Sequence, residues 1–215
     1  MATRAPLGLR LFQIGLWLLV LGASLYMILP RFFEPSPVTE TVAGVSVTIP
    51  SLGPGFAMNA PFQLVNEDGK AVTEADFAGK ASLWFYGFAN CPDICPTALA
   101  EMAALLTQLG PDADKLNAVF VTVDPERDTV AVLKPYVDYF DPRIIGLTGE
   151  LADVEAMAKS RFVSFEKIPG EGDDYAMQHP ALIYLVDAKG EFAGTLDDKE
   201  AMEVKLGKLR KLVGV

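Results

Sequence analysis

Histidine occurs once in this sequence and cysteine twice, which excludes chemistry built on several imidazoles or on a set of disulfides. The scarce residues are His179, Cys91 and Cys95. They are too few for a structural zinc site, which takes four protein ligands from Cys and His. Cations are also in short supply, with 18 Lys and Arg against 28 Asp and Glu, a net charge of −10. Setting the first 35 residues aside leaves −12, because they carry Arg4, Arg10 and Arg31 against Glu34 alone. A domain of that sign is repelled by nucleic acid and by anionic lipid, so no nucleic-acid partner is expected. Charge of either sign is missing from Leu11 to Pro30, and no cysteine lies near that run to carry a lipoprotein-type anchor.

What fills the uncharged run is Leu, Ile, Val, Phe and Trp, and roughly 20 apolar residues are what a helix needs to cross a bilayer. Residues 11–30 therefore read as a single transmembrane helix. Arg4 and Arg10 precede it and place a short N-terminus, residues 1–10, in the cytoplasm. The chain beyond Arg31 is then exported, which predicts a single-pass inner-membrane protein with its globular part on the periplasmic or intermembrane-space side. A cleaved signal peptide, with Gly22-Ala23-Ser24 as the small-residue site, is the competing reading. The run continues through Leu25–Leu29 without an A-x-A pattern, which favours a retained anchor.

Residues 31–55, with Pro35, Pro37, Pro50 and Pro54, read as a linker, within which Val45–Ile49 alternates like a short strand. Residues 56–215 read as one domain. Phe62–Val65, the turn Glu67-Asp-Gly-Lys70 and Ala71-Val72 predict a hairpin, followed by a capped turn from Thr73 to Phe77. Ala81–Phe88 is apolar throughout, as in a strand buried on both faces. A helix over about Pro96–Leu109, a strand over Leu116–Val123 and a helix over Thr129–Phe140 follow. Next come short apolar Ile144–Leu147, a helix over Leu151–Arg161 and a strand over Phe162–Ile168. The chain closes with a strand at Ala181–Val186, its antiparallel partner at Glu191–Leu196, and an amphipathic helix over Lys199–Val213. Strand-helix-strand first and hairpin-helix last is the order of an α/β, thioredoxin-like fold, here with an N-terminal extension and an inserted helix-strand segment.

Both cysteines lie in the turn Cys91-Pro-Asp-Ile-Cys95-Pro96, between the apolar strand and the first helix. Proline tolerates a first helical turn, so the helix starts at Pro92 or at Pro96, and the spacing does not choose. A disulfide across so short a loop restrains the unfolded chain little, which argues against a structural staple. On one helical face, i and i+4 side chains have Cβ atoms roughly 5–6 Å apart, whereas a disulfide wants about 3.5–4.5 Å. A metal with bonds to sulfur of about 2.3 Å spans the wider gap, so C-x-x-x-C leans towards metal and C-x-x-C towards dithiol exchange. His179 precedes the strand Ala181–Val186, where a thioredoxin-like order brings its loop beside the cysteine turn. Pro180 occupies the position where such folds often carry a cis proline. Two thiolates and one imidazole suit Cu(I) or Cu(II), with Met177 as a possible soft neighbour. Asp124-Pro-Glu-Arg-Asp128, at the carboxyl end of the neighbouring strand, borders the same place, and Arg127 pairs with Asp124 or Asp128 or the segment simply caps the next helix.

The combination of Cys91-Pro-Asp-Ile-Cys95-Pro, Val123-Asp-Pro-Glu-Arg-Asp-Thr129, Pro142-Arg-Ile-Ile-Gly-Leu-Thr-Gly149 and a late histidine resembles the Sco/SenC copper chaperones over about residues 56–213. The resemblance implies a membrane-tethered thioredoxin-like domain holding copper through Cys91, Cys95 and His179, with Asp124 in the surrounding shell. It implies action on the CuA-bearing subunit of cytochrome c oxidase, and exchange with other copper-handling proteins, by metal delivery, thiol reduction or both. Where the family has Asp-His followed by Ser or Thr, this chain has Gln178-His179-Pro180, which removes an acidic neighbour of the histidine. The competing function is a thiol–disulfide oxidoreductase in which Cys91 and Cys95 attack and resolve. A peroxiredoxin-type peroxidase fits less well, because Phe88 stands where its threonine belongs.

Overall fold

The computed structural model describes Trp17, the backbone of residues 38–42 and 45–49, and residues 57–170 and 174–215. The chain divides into two compact units, Met1–Gly53 and Pro54–Val215. In the first, β1 (Val38–Val42) and β2 (Val45–Ile49) pair antiparallel, Val38 opposite Ile49 and Val42 opposite Val45.

The second unit is built on a continuous apolar run. β5 (Ala81–Gly87) is buried at every position, as a strand covered on both faces must be. The hairpin β3 (Gln63–Asn66) and β4 (Ala71–Thr73) precedes it, followed by a one-turn 3-10 helix at Glu74–Phe77. Thr73 and Asp76 close a capping box on that turn, with the Thr73 amide donating to Asp76 Oδ2 at 2.7 Å. After β5 come α1 (Ile94–Leu109), β6 (Leu116–Thr122), α2 (Val130–Phe140), β7 (Ile144–Thr148) and α3 (Leu151–Ser160). A second hairpin, β8 (Glu166–Pro169) and β9 (Tyr175–Gln178), leads to β10 (Ile183–Val186), β11 (Phe192–Leu196) and α4 (Met202–Val213).

The seven-stranded sheet has the order β11-β10-β5-β6-β7-β3-β4. Its centre is parallel, with Phe85 opposite Phe120 and Gly87 opposite Thr122, while β10 runs antiparallel to β5 with Ile183 opposite Phe85. That is the thioredoxin-like order expected from the sequence, with α2 and β7 as the insertion. Alternation along β5 divides the core. Phe85 and Gly87 point towards Phe120, Tyr136 of α2 and Cys95 of α1. Trp84 points the other way, towards Phe62, Phe77 and the buried guanidinium of Arg161 at the end of α3. Each fully buried Leu or Phe in these layers contributes about 1.5–3 kcal/mol.

Three expectations need correction. The longest described helix is α1, with 16 residues, short of the roughly 20 that span a hydrocarbon core. Among the described residues no helix is long and apolar enough to cross a membrane. The transmembrane helix, the attachment to a membrane through it and the single-pass inner-membrane placement therefore do not stand; apart from Trp17, the run 11–30 lies outside the described residues, as does the small-residue site. Second, the strand expected from Phe162 begins only at Glu166, because Phe162 sits at φ +58, a left-handed residue that turns the chain off the end of α3. Third, β9 was not anticipated, and it exists by pairing with β8.

Candidate metal centre

The first turn of α1 fixes where the two sulfurs lie. The helix starts at Ile94, between the two prolines, and Asp93 caps it by accepting Thr97 N–H (3.2 Å) and Thr97 Oγ1 (2.9 Å) on its carbonyl. Pro96 falls inside the first turn, where its missing N–H costs nothing. Cys91 thus precedes the helix and Cys95 lies within it. The Cys95 amide donates to Cys91 Sγ at 3.4 Å, so one cysteine caps the helix that carries the other. Both are free thiols, Cys91 partly exposed and Cys95 at 0 % exposure.

Cys95 occupies space that a glycine leaves. A Cβ at Gly87 would lie 2.8 Å from Cys95 Sγ, 3.0 Å from Phe85 and 3.1 Å from Phe120. An isolated glycine inside a strand pattern signals a close approach of this kind, and Gly87 was not among the residues singled out from the sequence. Burial pushes the Cys95 thiol well above its ordinary range, against a smaller opposing pull from a backbone hydrogen bond at Phe88.

His179 directly follows β9, in the segment that leads to β10. Its Nε2 is 3.4 Å from Cys95 Sγ and its Nδ1 is 3.0 Å from the carbonyl of Pro180. A carbonyl only accepts, so Nδ1 carries the proton and Nε2 presents its lone pair to the sulfur. Phe85 and Phe88 stand edge-on to the ring at 6.0 and 5.8 Å. Burial lowers the imidazole pKa, which keeps the ring neutral and available to a metal. The His179–Pro180 bond is not cis, since the described residues contain no cis peptide bond. The trans isomer is the lower in energy for most X–Pro bonds, and here it already brings the Pro180 carbonyl to Nδ1.

Cys91, Cys95 and His179 place their ligand atoms within 4.8 Å of one another. Two sulfurs bound at about 2.3 Å to one ion lie roughly 4 Å apart, so the cluster fits a single metal with little movement. Among the described residues no carboxylate or further Cys or His joins these three. Two sulfurs and one imidazole are a soft donor set, suited to copper and one ligand short of structural zinc.

Asp124 is not in the cluster. It is 3 % exposed, ion-paired with Arg127 Nε, and accepts Tyr175 Oη at 2.8 Å. Asp128, read from the sequence only as an alternative partner for Arg127, instead supports the cysteine turn directly. Its Oδ2 accepts Ala89 N–H at 2.9 Å and Thr122 Oγ1 at 2.6 Å, and its residue is 1 % exposed. Nothing in the local sequence separates Asp124 from Asp128, because both begin or end the same capped turn.

The SCO1/SenC family model matches residues 52–214. The chain belongs to the SCO1/SenC family. Among its relatives, Protein SCO1 homolog 1, mitochondrial, of Arabidopsis thaliana is 39 % identical over 144 residues, covering 66 % of this chain and 43 % of that protein. Protein SCO2, mitochondrial, of Saccharomyces cerevisiae is 33 % identical over 216 residues, 97 % of this chain and 70 % of its own. The chain therefore spans less than half of the plant relative and about two thirds of the yeast one. Among solved structures, Bradyrhizobium japonicum ScoI with copper bound superposes with a TM-score of 0.68 at 44 % identity, over 73 % of this chain and 99 % of that one. In this SCO1/SenC domain the cysteine turn, the glycine behind it and the histidine arm all lie within the matched region.

Proposed function

We propose that this protein binds copper through Cys91, Cys95 and His179 and serves in maturation of the CuA centre of cytochrome c oxidase. The observation that carries the reading is the convergence of two free thiols and a neutral imidazole, with all three ligand atoms within 4.8 Å. Family membership and the copper-bound ScoI relative support the choice of metal. When bound, copper supplies a soft Lewis-acid centre, and the protein's own residues do the holding. Cys91 offers a reachable sulfur at the helix cap and Cys95 a sulfur locked behind Gly87. His179 offers a lone pair aimed by the Pro180 carbonyl. The recipient is the CuA-bearing subunit of the oxidase, with other copper-handling proteins as sources.

Titration of the reduced full-length protein with Cu(II), followed by absorption, tests this. Sulfur-to-copper charge-transfer bands should saturate at one equivalent, move in His179→Ala and vanish in Cys91→Ala/Cys95→Ala. Bands unaffected by His179→Ala would sink the three-ligand site.

One observation favours a second reading, reduction of the target's cysteines. Cys91 is reachable while Cys95 is buried, the division of labour between an attacking and a resolving thiol. Cys91 would form a mixed disulfide with one target sulfur, and Cys95 would displace it, leaving Cys91–Cys95 oxidised and the target dithiol reduced. Efficient reduction of an oxidised CuA-site peptide by copper-free protein, with copper adding nothing, would decide for this reading.

A further inference from the structure

The hairpin β8–β9 delivers His179, yet it forms a two-stranded sheet of its own, with no ladder to the seven-stranded sheet. An isolated hairpin is marginal in water. Every residue of β8 is exposed, and β9 buries none of its residues fully, although Met177 rests against the core. Something else must fix the arm.

What does so is a polar latch at Tyr175, four residues before the histidine. Its ring is sandwiched between two cations, Arg127 Cζ at 3.7 Å and Lys167 Nζ at 3.7 Å. Lys167 is itself tied to Glu126 at 2.9 Å. The Tyr175 hydroxyl donates to Asp124 Oδ1 at 2.8 Å, and the same carboxylate pairs with Arg127 Nε. Arg127 Nη1 donates to the Tyr175 carbonyl at 3.1 Å and to Asp174 Oδ1 at 3.3 Å. The guanidinium also lies 5.9 Å from the Phe88 ring, which in turn meets the His179 ring edge-on at 5.8 Å. Arg127 therefore reaches the histidine by two routes: along β9 through Tyr175, and across the site through Phe88.

We propose that Arg127 is a positioning residue for His179, latching the β8–β9 arm through Tyr175 and Asp124 so that the imidazole is held over the two sulfurs. With the latch closed the metal meets three ligands; with it open the arm carries His179 away and two sulfurs remain. The Asp124 and Arg127 positions of the Asp-Pro-Glu-Arg-Asp turn thereby acquire a purpose distinct from that of Asp128, which braces the cysteine turn. The inference rests on the proposed copper site only for its consequence; the latch itself is made of residues outside the three ligands.

The single histidine makes the test clean, because full-length protein gives one pair of imidazole proton resonances, displaced by the ring currents of Phe85 and Phe88. In copper-free Arg127→Met these resonances should move towards free-histidine positions, and amide exchange at Tyr175–Gln178 should quicken about tenfold or more. Arg127→Lys, which keeps the charge and loses the fork, should fall between. Tyr175→Phe removes only the hydroxyl and should shift them in the same direction to a smaller extent. In the copper-loaded protein, Arg127→Met should raise the copper dissociation constant roughly tenfold and move the Cu(II) spectrum towards that of His179→Ala. Wild-type imidazole shifts and exchange in both Arg127→Met and Tyr175→Phe would overturn the latch. Should Arg127→Met fail to fold, Tyr175→Phe decides alone. If His179→Ala leaves the copper spectrum unchanged while the copper-free shifts still move, the copper assignment fails and the latch stands.

Discussion

Replacing Gly87 with alanine puts one methyl group against the sulfur of Cys95. The new carbon would lie 2.8 Å from Cys95 Sγ, 3.0 Å from Phe85 Cε1 and 3.1 Å from Phe120 Cε2. Ordinary carbon contacts are about 3.5–4.0 Å, so the overlap with sulfur is at least ~0.7 Å and those with the rings roughly 0.4 Å or more. None of the three neighbours has free space, since Cys95, Phe85 and Phe120 are all fully buried. Overpacking of this kind costs about 1–3 kcal/mol. In a chain of this length that lowers the melting temperature by roughly 3–10 °C. A sulfur pushed aside by about 0.7 Å is displaced beyond the ~0.2 Å tolerance of a metal site. Copper affinity should fall about tenfold or more. A double-mutant cycle isolates the cause: in a Cys95→Ala background the cost of Gly87→Ala should shrink by at least about 0.5 kcal/mol, because only the ring contacts remain. Thermal unfolding of the four copper-free proteins and copper titration of the two that keep Cys95 supply the data. A Gly87→Ala protein with wild-type melting and a wild-type copper spectrum, or a cost unchanged by Cys95→Ala, would refute the reasoning.

Asp128→Ala should cost about 2–4 kcal/mol in urea unfolding, because it strands the half-buried Ala89 amide and the buried Thr122 hydroxyl. Asp128→Asn retains an acceptor in the same place and should cost less than about 1 kcal/mol, so equal losses would argue against the bracing role. At alkaline pH the copper-free protein should weaken. Burial holds the Tyr86 and Tyr184 phenols above their ordinary range, so the folded chain keeps protons that the unfolded chain releases near pH ~10. Their stabilising contribution is therefore full below about pH 10 and is lost above it, at up to ~1.4 kcal/mol per pH unit for each tyrosine. Tyrosinate absorption rising together with unfolding checks this; ionisation of both phenols in a still-folded protein would contradict it.

Much of the architecture is written locally. The unbroken apolar run of β5 and the similar run of β6 demand burial on both faces, and the periodic segments between them demand helices, so a parallel α/β core follows from pattern alone. The hairpin β3–β4, its capped turn and the closing hairpin with α4 are equally local, each marked by turn residues and alternation. The two sulfurs are local too, because four residues separate them. An apolar run of 20 residues at 11–30 also satisfies a local rule, and there the rule promised a spanning helix that no described helix supplies.

The rest depends on residues far apart in the chain. Cys95 and His179 stand 84 positions apart, and only the antiparallel pairing of β10 on β5 brings them to 3.4 Å. Phe162 in a left-handed turn carries none of the glycine or asparagine that would announce it, so the true start of β8 was hidden. β9 is four residues long and gains its strand geometry from a partner, and its tie to the body passes through Arg127, 48 positions away. Asp124 and Asp128 look alike in sequence and are equally buried, and only their partners separate them, Tyr175 and Arg127 tying one carboxylate to the histidine arm and Ala89 and Thr122 tying the other to the cysteine turn. The sequence by itself determined which donor atoms the chain owns and which elements carry them, because composition and periodicity act over a few residues. Only the tertiary structure decided which of those atoms meet, because that depends on strand order, on the space left at Gly87 and on a latch between distant loops.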